Sequence, residues 1–127
     1  MRLAYTILYV PDVPATLAFY ETAFGVPRRF LHEGNDYAEL ETGSTALAFA
    51  AETLMEDTLG FVRNRPDQRP AAAEVAFVTD DVDAAFARAT AAGAVAVQGP
   101  TAKPWGQIVS YVRDCNGFLV ELCTAVG

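Results

Sequence analysis

Tyr5-Thr6-Ile7-Leu8-Tyr9-Val10-Pro11-Asp12-Val13 and Glu74-Val75-Ala76-Phe77-Val78-Thr79-Asp80-Asp81-Val82 carry one pattern twice. Glu74 follows Tyr5 by 69 positions, and Asp81 follows Asp12 by the same interval. Each copy alternates apolar side chains at strand period and reaches Asp-Val. A helical pattern then runs to a glycine, Gly25 in the first copy and Gly93 in the second. A unit this short cannot cover its own sheet, so the duplication predicts two copies packed with approximate twofold symmetry. Such symmetry sets equivalent positions face to face, and a shared cleft is the expected place for a ligand.

Outward from these stretches the pattern fills in. In the first copy a strand over 2–10 leads to Asp12 as helix cap, then Val13, Leu17, Tyr20 and Phe24 recur at helical spacing. Strands are expected over 28–33, 37–41 and 45–51, then a short helix within 52–61 and a polar linker over 63–70 with two prolines. The second copy offers a strand over 75–79 and a helix capped by Asp81 carrying Val82, Ala85, Phe86 and Ala89. A short strand over 94–97 is expected to end at Gly99-Pro100, with further strands over 107–113 and 118–123. The fold class is therefore α+β, a single domain of two βαβββ modules at about 1–62 and 71–127 in pseudo-twofold arrangement.

Composition narrows the function classes. Of 127 residues 52% are hydrophobic and 20% charged, an ordinary globular balance with enough chain for one core. A net charge of −7 argues against nucleic acid, whose phosphates demand a basic face. No apolar run approaches the length that spans a bilayer. Cys115 and Cys123 are the only cysteines; with no signal-peptide pattern, a cytoplasmic location and two free thiols are expected. Ser44, Ser110 and Cys115 have no His-Asp partners nearby, which leaves triad chemistry without support.

The first stretch with Phe19-Tyr20 and Phe24-Gly25, Val75 to Ala85, and Asp114-Cys115-Asn116-Gly117-Phe118-Leu119-Val120-Glu121-Leu122 resemble the vicinal oxygen chelate superfamily. That family includes glyoxalases, extradiol dioxygenases, fosfomycin-resistance enzymes and bleomycin-binding proteins. The last stretch is similar to the family's D-P-D-G-x-x-x-E-L ending, with Cys115 and Asn116 in place of Pro-Asp. The resemblance implies modules curled into a mixed sheet, a homodimer, and a small organic molecule as the partner. In metal-dependent members the first and last strands of each module supply ligands to one divalent ion. Carried over by position, these places are Tyr5, Ala48, Glu74 and Glu121, where the family commonly has His at the first and third.

Only Glu121 keeps a typical ligand there. Alanine donates nothing, and a phenol is a poor ligand near neutral pH because its proton leaves only near a pKa of ~10. Two carboxylates and water suit at most a weakly held hard ion, so no cofactor is expected. His32, the sole histidine, lies on another strand and reads as an exposed residue. Tyr5, Glu74 and Glu121 are instead expected to face the concave surface, where two converging carboxyls retain one proton. That trio suits an amine-bearing ligand, or a general base at Glu74 or Glu121. The alternative for Glu74 is solvent or a pairing with Arg113. Trp105, in Lys103-Pro104-Trp105-Gly106-Gln107, is a candidate to stack on a planar or cationic ligand, or else to cover a core edge. Tyr9, Phe49 and Tyr111 are further candidate cavity walls. A binding protein for a small molecule is the leading expectation. A metal-dependent lyase or dioxygenase, and a metal-free enzyme with a Glu base, stay open.

Overall fold

In the computed structural model, which describes residues 1–127, the chain divides into two units, Met1–Arg63 and Asn64–Gly127. The first contains β1 (Tyr5–Val10), α1 (Val13–Phe24), β2 (Arg28–Leu31), β3 (Tyr37–Leu40), β4 (Ala46–Ala51) and α2 (Glu52–Leu59). The second contains β5 (Glu74–Val78), α3 (Val82–Ala91), β6 (Val95–Ala102), β7 (Ile108–Arg113) and β8 (Leu119–Cys123). Each builds a four-stranded mixed sheet, ordered β1-β4-β3-β2 in one and β5-β8-β7-β6 in the other. The first and last strands of each unit run parallel, and the remaining pairs are antiparallel. No helix is long and apolar enough to cross a membrane.

The repeat extends to local chemistry. Asp12 accepts the N–H of Ala15 at 3.0 Å, and Asp81 accepts that of Ala84 at 3.0 Å, each starting its helix where the orphan donors need a partner. Helix α1 buries Val13, Thr16, Leu17, Tyr20 and Ala23, a stripe that faces the sheet. Tyr20 meets Phe49 of β4 with ring centroids 4.8 Å apart. Phe49 is therefore helix-side core, fully buried, and not a cavity wall as alternation alone allowed. Burying two rings of this size stabilises the first unit by about 2–3 kcal/mol each.

β1 begins at Tyr5 and not at residue 2, and two further strand boundaries differ from the expectation. β2 stops at Leu31, because His32 and Asn35 close a turn in which Asn35 adopts φ 59°. β6 does not stop at Gly99-Pro100 but continues to Ala102. It is an edge strand, and its register against β7 slips between Ala96 and Gln98 and again between Gln98 and Thr101. Those bulges hold the residues that have no partner opposite, so the proline's missing N–H costs the ladder little.

The segment after Arg63 is tied to the second unit. Asn64 is buried; its amide donates to the Asn116 carbonyl and accepts the N–H of Ala71, both at 2.8 Å. Arg113 donates to the carbonyls of Gly117 (2.9 Å), Pro66 (3.1 Å), Arg65 (3.1 Å) and Gln68 (2.6 Å). One guanidinium thus closes residues 65–68 onto the β7–β8 turn. Arg113→Ala is expected to cost about 1.5–3 kcal/mol, the range for hydrogen bonds to a charged group. Amide exchange around Gln68 should accelerate with it, and unchanged exchange there would show that other contacts hold the segment.

Candidate functional site

The last hairpin builds the site. Asp114, 2% exposed, accepts the N–H groups of Asn116 (2.8 Å) and Phe118 (2.9 Å) and so fixes the turn between β7 and β8. That turn sets Tyr111 opposite Glu121 and Val109 opposite Cys123. On the other side of β8, Ala76 stands opposite Glu121 and Glu74 opposite Leu119. Glu74 and Glu121 are therefore diagonal neighbours on one face, within reach of long side chains.

Two carboxyls brought this close act on each other's acidity and pull their pKa values apart. Burial, the bond to Glu121 and the charge of Glu121 hold Glu74 above the ordinary carboxyl range. Burial also pushes Glu121 upward, but bonds from Cys123, Tyr111 and Glu74 outweigh it, and its pKa lies below the ordinary value. Glu121 is thus the stronger acid of the pair and Glu74 the weaker. The bond to Glu121, with burial second, pushes Tyr111 up to about 12. Burial, followed by the bond to Glu121, pushes Cys123 up to about 11. Both remain protonated donors at neutral pH. No basic group acts on either carboxyl, and Arg113, one candidate partner for Glu74, is occupied by backbone carbonyls. Both cysteines are free thiols.

A carboxyl held above its unfolded value favours the fold while protonated, so its contribution is present in acid and lost as pH rises through the elevated pKa. Glu74→Gln keeps a neutral donor at that place. Its stability relative to the natural chain, followed by urea titrations, is expected to grow as pH rises from the ordinary carboxyl range through the elevated pKa of Glu74. A gap that stays constant with pH would mean that Glu74 does not hold the proton.

The first unit treats the same face differently. Tyr5, 56% exposed, pairs with Ala46 on β4, and Ala48 lies between Ile7 and Glu39. Registers match across the repeat: Tyr5 faces Ala46 as Glu74 faces Leu119, which makes Ala48 the counterpart of Glu121. The acid missing at Ala48 stands one strand over as Glu39, which accepts the Tyr37 hydroxyl at 2.8 Å and Arg29 at 3.4 Å. Arg29 also binds Glu41 at 2.7 Å and 3.0 Å. Burial, and after it the bond to Glu39, pushes Tyr37 up to about 12. Here an arginine offsets the acids; in the second unit nothing does. Trp105, 63% exposed, donates its indole N–H to Gln107 at 2.9 Å. Tyr9 stacks on Phe61, centroids 4.6 Å apart. His32 is exposed, in a turn beside Asp36.

Of the four positions assigned to metal ligands, the first unit supplies a phenol and a methyl, the second two carboxyls. Nowhere do three or more His, Cys, Asp or Glu side chains gather as ligands. This donor set does not fit a transition-metal centre. Cys123, Gln107, Glu39 and Tyr37 escaped the sequence reading. The hairpin register would have exposed Cys123 and Gln107, and the alternation Tyr37-Ala38-Glu39-Leu40-Glu41 puts the tyrosine and both acids on one face.

The family model of the Glyoxalase/Bleomycin resistance protein/Dioxygenase superfamily matches residues 2–122. A Salmonella typhimurium virulence protein is 26% identical over 127 residues, covering 95% of this chain and 82% of its own length. A glyoxalase-related enzyme from Fulvimarina pelagi superposes with a TM-score of 0.81 at 22% identity, covering 98% of this chain and 88% of that one. A glyoxalase/bleomycin resistance protein/dioxygenase family enzyme from Burkholderia phytofirmans gives 0.79 at 21% identity and 98% of both chains.

Proposed function

The chain belongs to the glyoxalase/bleomycin resistance protein/dioxygenase superfamily, and we propose that it binds a small amine-bearing organic molecule without the usual catalytic metal. One observation carries the reading: the strand registers bring Glu74, Tyr111 and Glu121 to one face of the second sheet, and no basic side chain acts on either carboxyl. A protonated amine supplies the missing positive charge and the donors that carboxylate lone pairs accept. Metal chemistry enters no step, because the donors at the family's ligand positions are too few and of the wrong kind.

A second reading rests on the same pair. Two neighbouring carboxyls whose pKa values are pushed apart, Glu121 down and Glu74 up, have the arrangement of a base beside an acid, so proton abstraction from a bound ligand is chemically available. Binding comes first in either case.

Titration calorimetry with ammonium compounds and with carboxylates of matched size tests the proposal. Ammonium compounds are expected to bind at least about tenfold more tightly, worth roughly 1.4 kcal/mol. Equal affinity for both charge types would sink it.

A further inference from the structure

Of the asparagines Asn35, Asn64 and Asn116, only Asn116 precedes a glycine. In Asn-Gly the backbone nitrogen attacks the preceding side-chain amide most readily, because glycine has no Cβ in the way and turns freely about φ and ψ. Here that dipeptide lies in the turn between β7 and β8, and each of its backbone polar groups is bonded. The Asn116 N–H donates to Asp114 Oδ1 at 2.8 Å, and the Gly117 N–H to the Asp114 carbonyl at 3.0 Å. The Asn116 carbonyl accepts from the Asn64 amide at 2.8 Å, and the Gly117 carbonyl from Arg113 Nε at 2.9 Å. Asn116 itself is 7% exposed.

The attacking atom is Gly117 N, whose hydrogen Asp114 holds. To react, the peptide between Asn116 and Gly117 must rotate toward Asn116 Cγ, which breaks its bonds to Asp114 and Asn64 together. The Arg65 carbonyl oxygen also lies over the glycine, 2.7 Å from where a Cβ would stand. Residues 64–68, pinned by Asn64 and by Arg113, must therefore lift first.

We infer that Asn116 is a self-modification site gated by this segment, shielded while residues 64–68 lie on the turn and open to deamidation when they lift. The chemistry needs only water. Gly117 N bonds to Asn116 Cγ, the Cγ–Nδ2 bond breaks, and ammonia leaves with the proton that Gly117 gave up. Water then opens the cyclic imide at one of its two carbonyls. One opening restores the backbone path and leaves aspartate. The other leaves isoaspartate, with the chain rerouted through the side chain and lengthened by a carbon. That longer path cannot keep the bonds of the turn, so the hairpin that sets Tyr111 opposite Glu121 loosens irreversibly.

Peptide mapping by mass spectrometry, with methyltransferase labelling of isoaspartate, follows residue 116 of the full chain in warm neutral buffer. A reaction through an opened state tracks the population of that state, so the folded chain is expected to convert at least about 100-fold more slowly than the chain unfolded in urea. Arg113→Ala should speed conversion by about 10- to 100-fold, the factor for losing hydrogen bonds to a charged group. Where that variant does not fold, Asn64→Ala is read instead, with about a tenfold increase expected. Val82→Ala, a buried change on α3 outside the segment, should alter the rate by less than about twofold. Conversion of the folded chain at the unfolded rate would overturn the inference. So would a folded Arg113 or Asn64 variant that converts no faster, or a Val82 variant that converts as fast as these. Aged chain rich in isoaspartate should also unfold at lower urea than Asn116→Asp, and equal midpoints would overturn the loosening of the hairpin.

Discussion

Glu121→Gln is expected to lower the affinity for an ammonium ligand by about 10- to 100-fold, while Glu74→Gln changes it by less than about threefold. The asymmetry comes from which carboxyl is the stronger acid. Glu121 is held below the ordinary carboxyl range and Glu74 above it, by burial first and then by Glu121 itself, so Glu121 is the one that keeps its charge. Removing the charge deletes a charge-assisted hydrogen bond, worth about 1.5–3 kcal/mol, and each 1.4 kcal/mol is a factor of ten. Removing the weaker acid of the pair deletes less. Calorimetry on both variants at neutral pH decides the matter: equal losses would mean the pair shares its charge evenly. Should turnover of a bound amine be found, Glu121→Gln is also expected to abolish it, since the base is gone. Glu74→Gln would retain part of it.

How much of this was readable beforehand differs between fold and site. The duplication, both Asp caps and the βαβββ order follow from local patterns that the tertiary structure reinforces. The failure at Gly99-Pro100 has a specific cause. A proline argues against a strand only where its N–H is needed, and two bulges on an edge strand remove that need. At the site, Glu121 was legible from the hairpin motif, but its donors were not, because they depend on register. Arg28 and Arg29 show the same limit. They are adjacent in sequence, yet alternation sends Arg28 to Glu21 on α1 and Arg29 across the sheet to Glu39 and Glu41. Which acid each arginine offsets decides which face stays negative. No local window contains that information.

Gly117→Ala is expected to be the most destabilising single methyl group that can be added to the second unit, at about 3–5 kcal/mol. Gly117 adopts φ +85°, where a side chain costs about 1 kcal/mol even in open space. The space is not open. A Cβ there would lie 2.7 Å from the Arg65 carbonyl oxygen, 2.9 Å from its carbon and 2.5 Å from Arg113 Nη2. Two of those atoms are backbone, and the third belongs to the guanidinium that holds residues 65–68. Relief therefore requires moving the segment, loosening Arg113, or unwinding the turn that sets Tyr111 against Glu121. Gly43 supplies the control, because it has φ +91° and a Cβ added there would meet nothing within 4 Å, so Gly43→Ala should cost only about 1 kcal/mol. Urea unfolding of the two variants separates backbone strain from collision, and ammonium binding should weaken in the Gly117 variant alone. Similar costs at the two positions would show that residues 65–68 yield without resistance, leaving the hairpin to hold the acidic pair unaided.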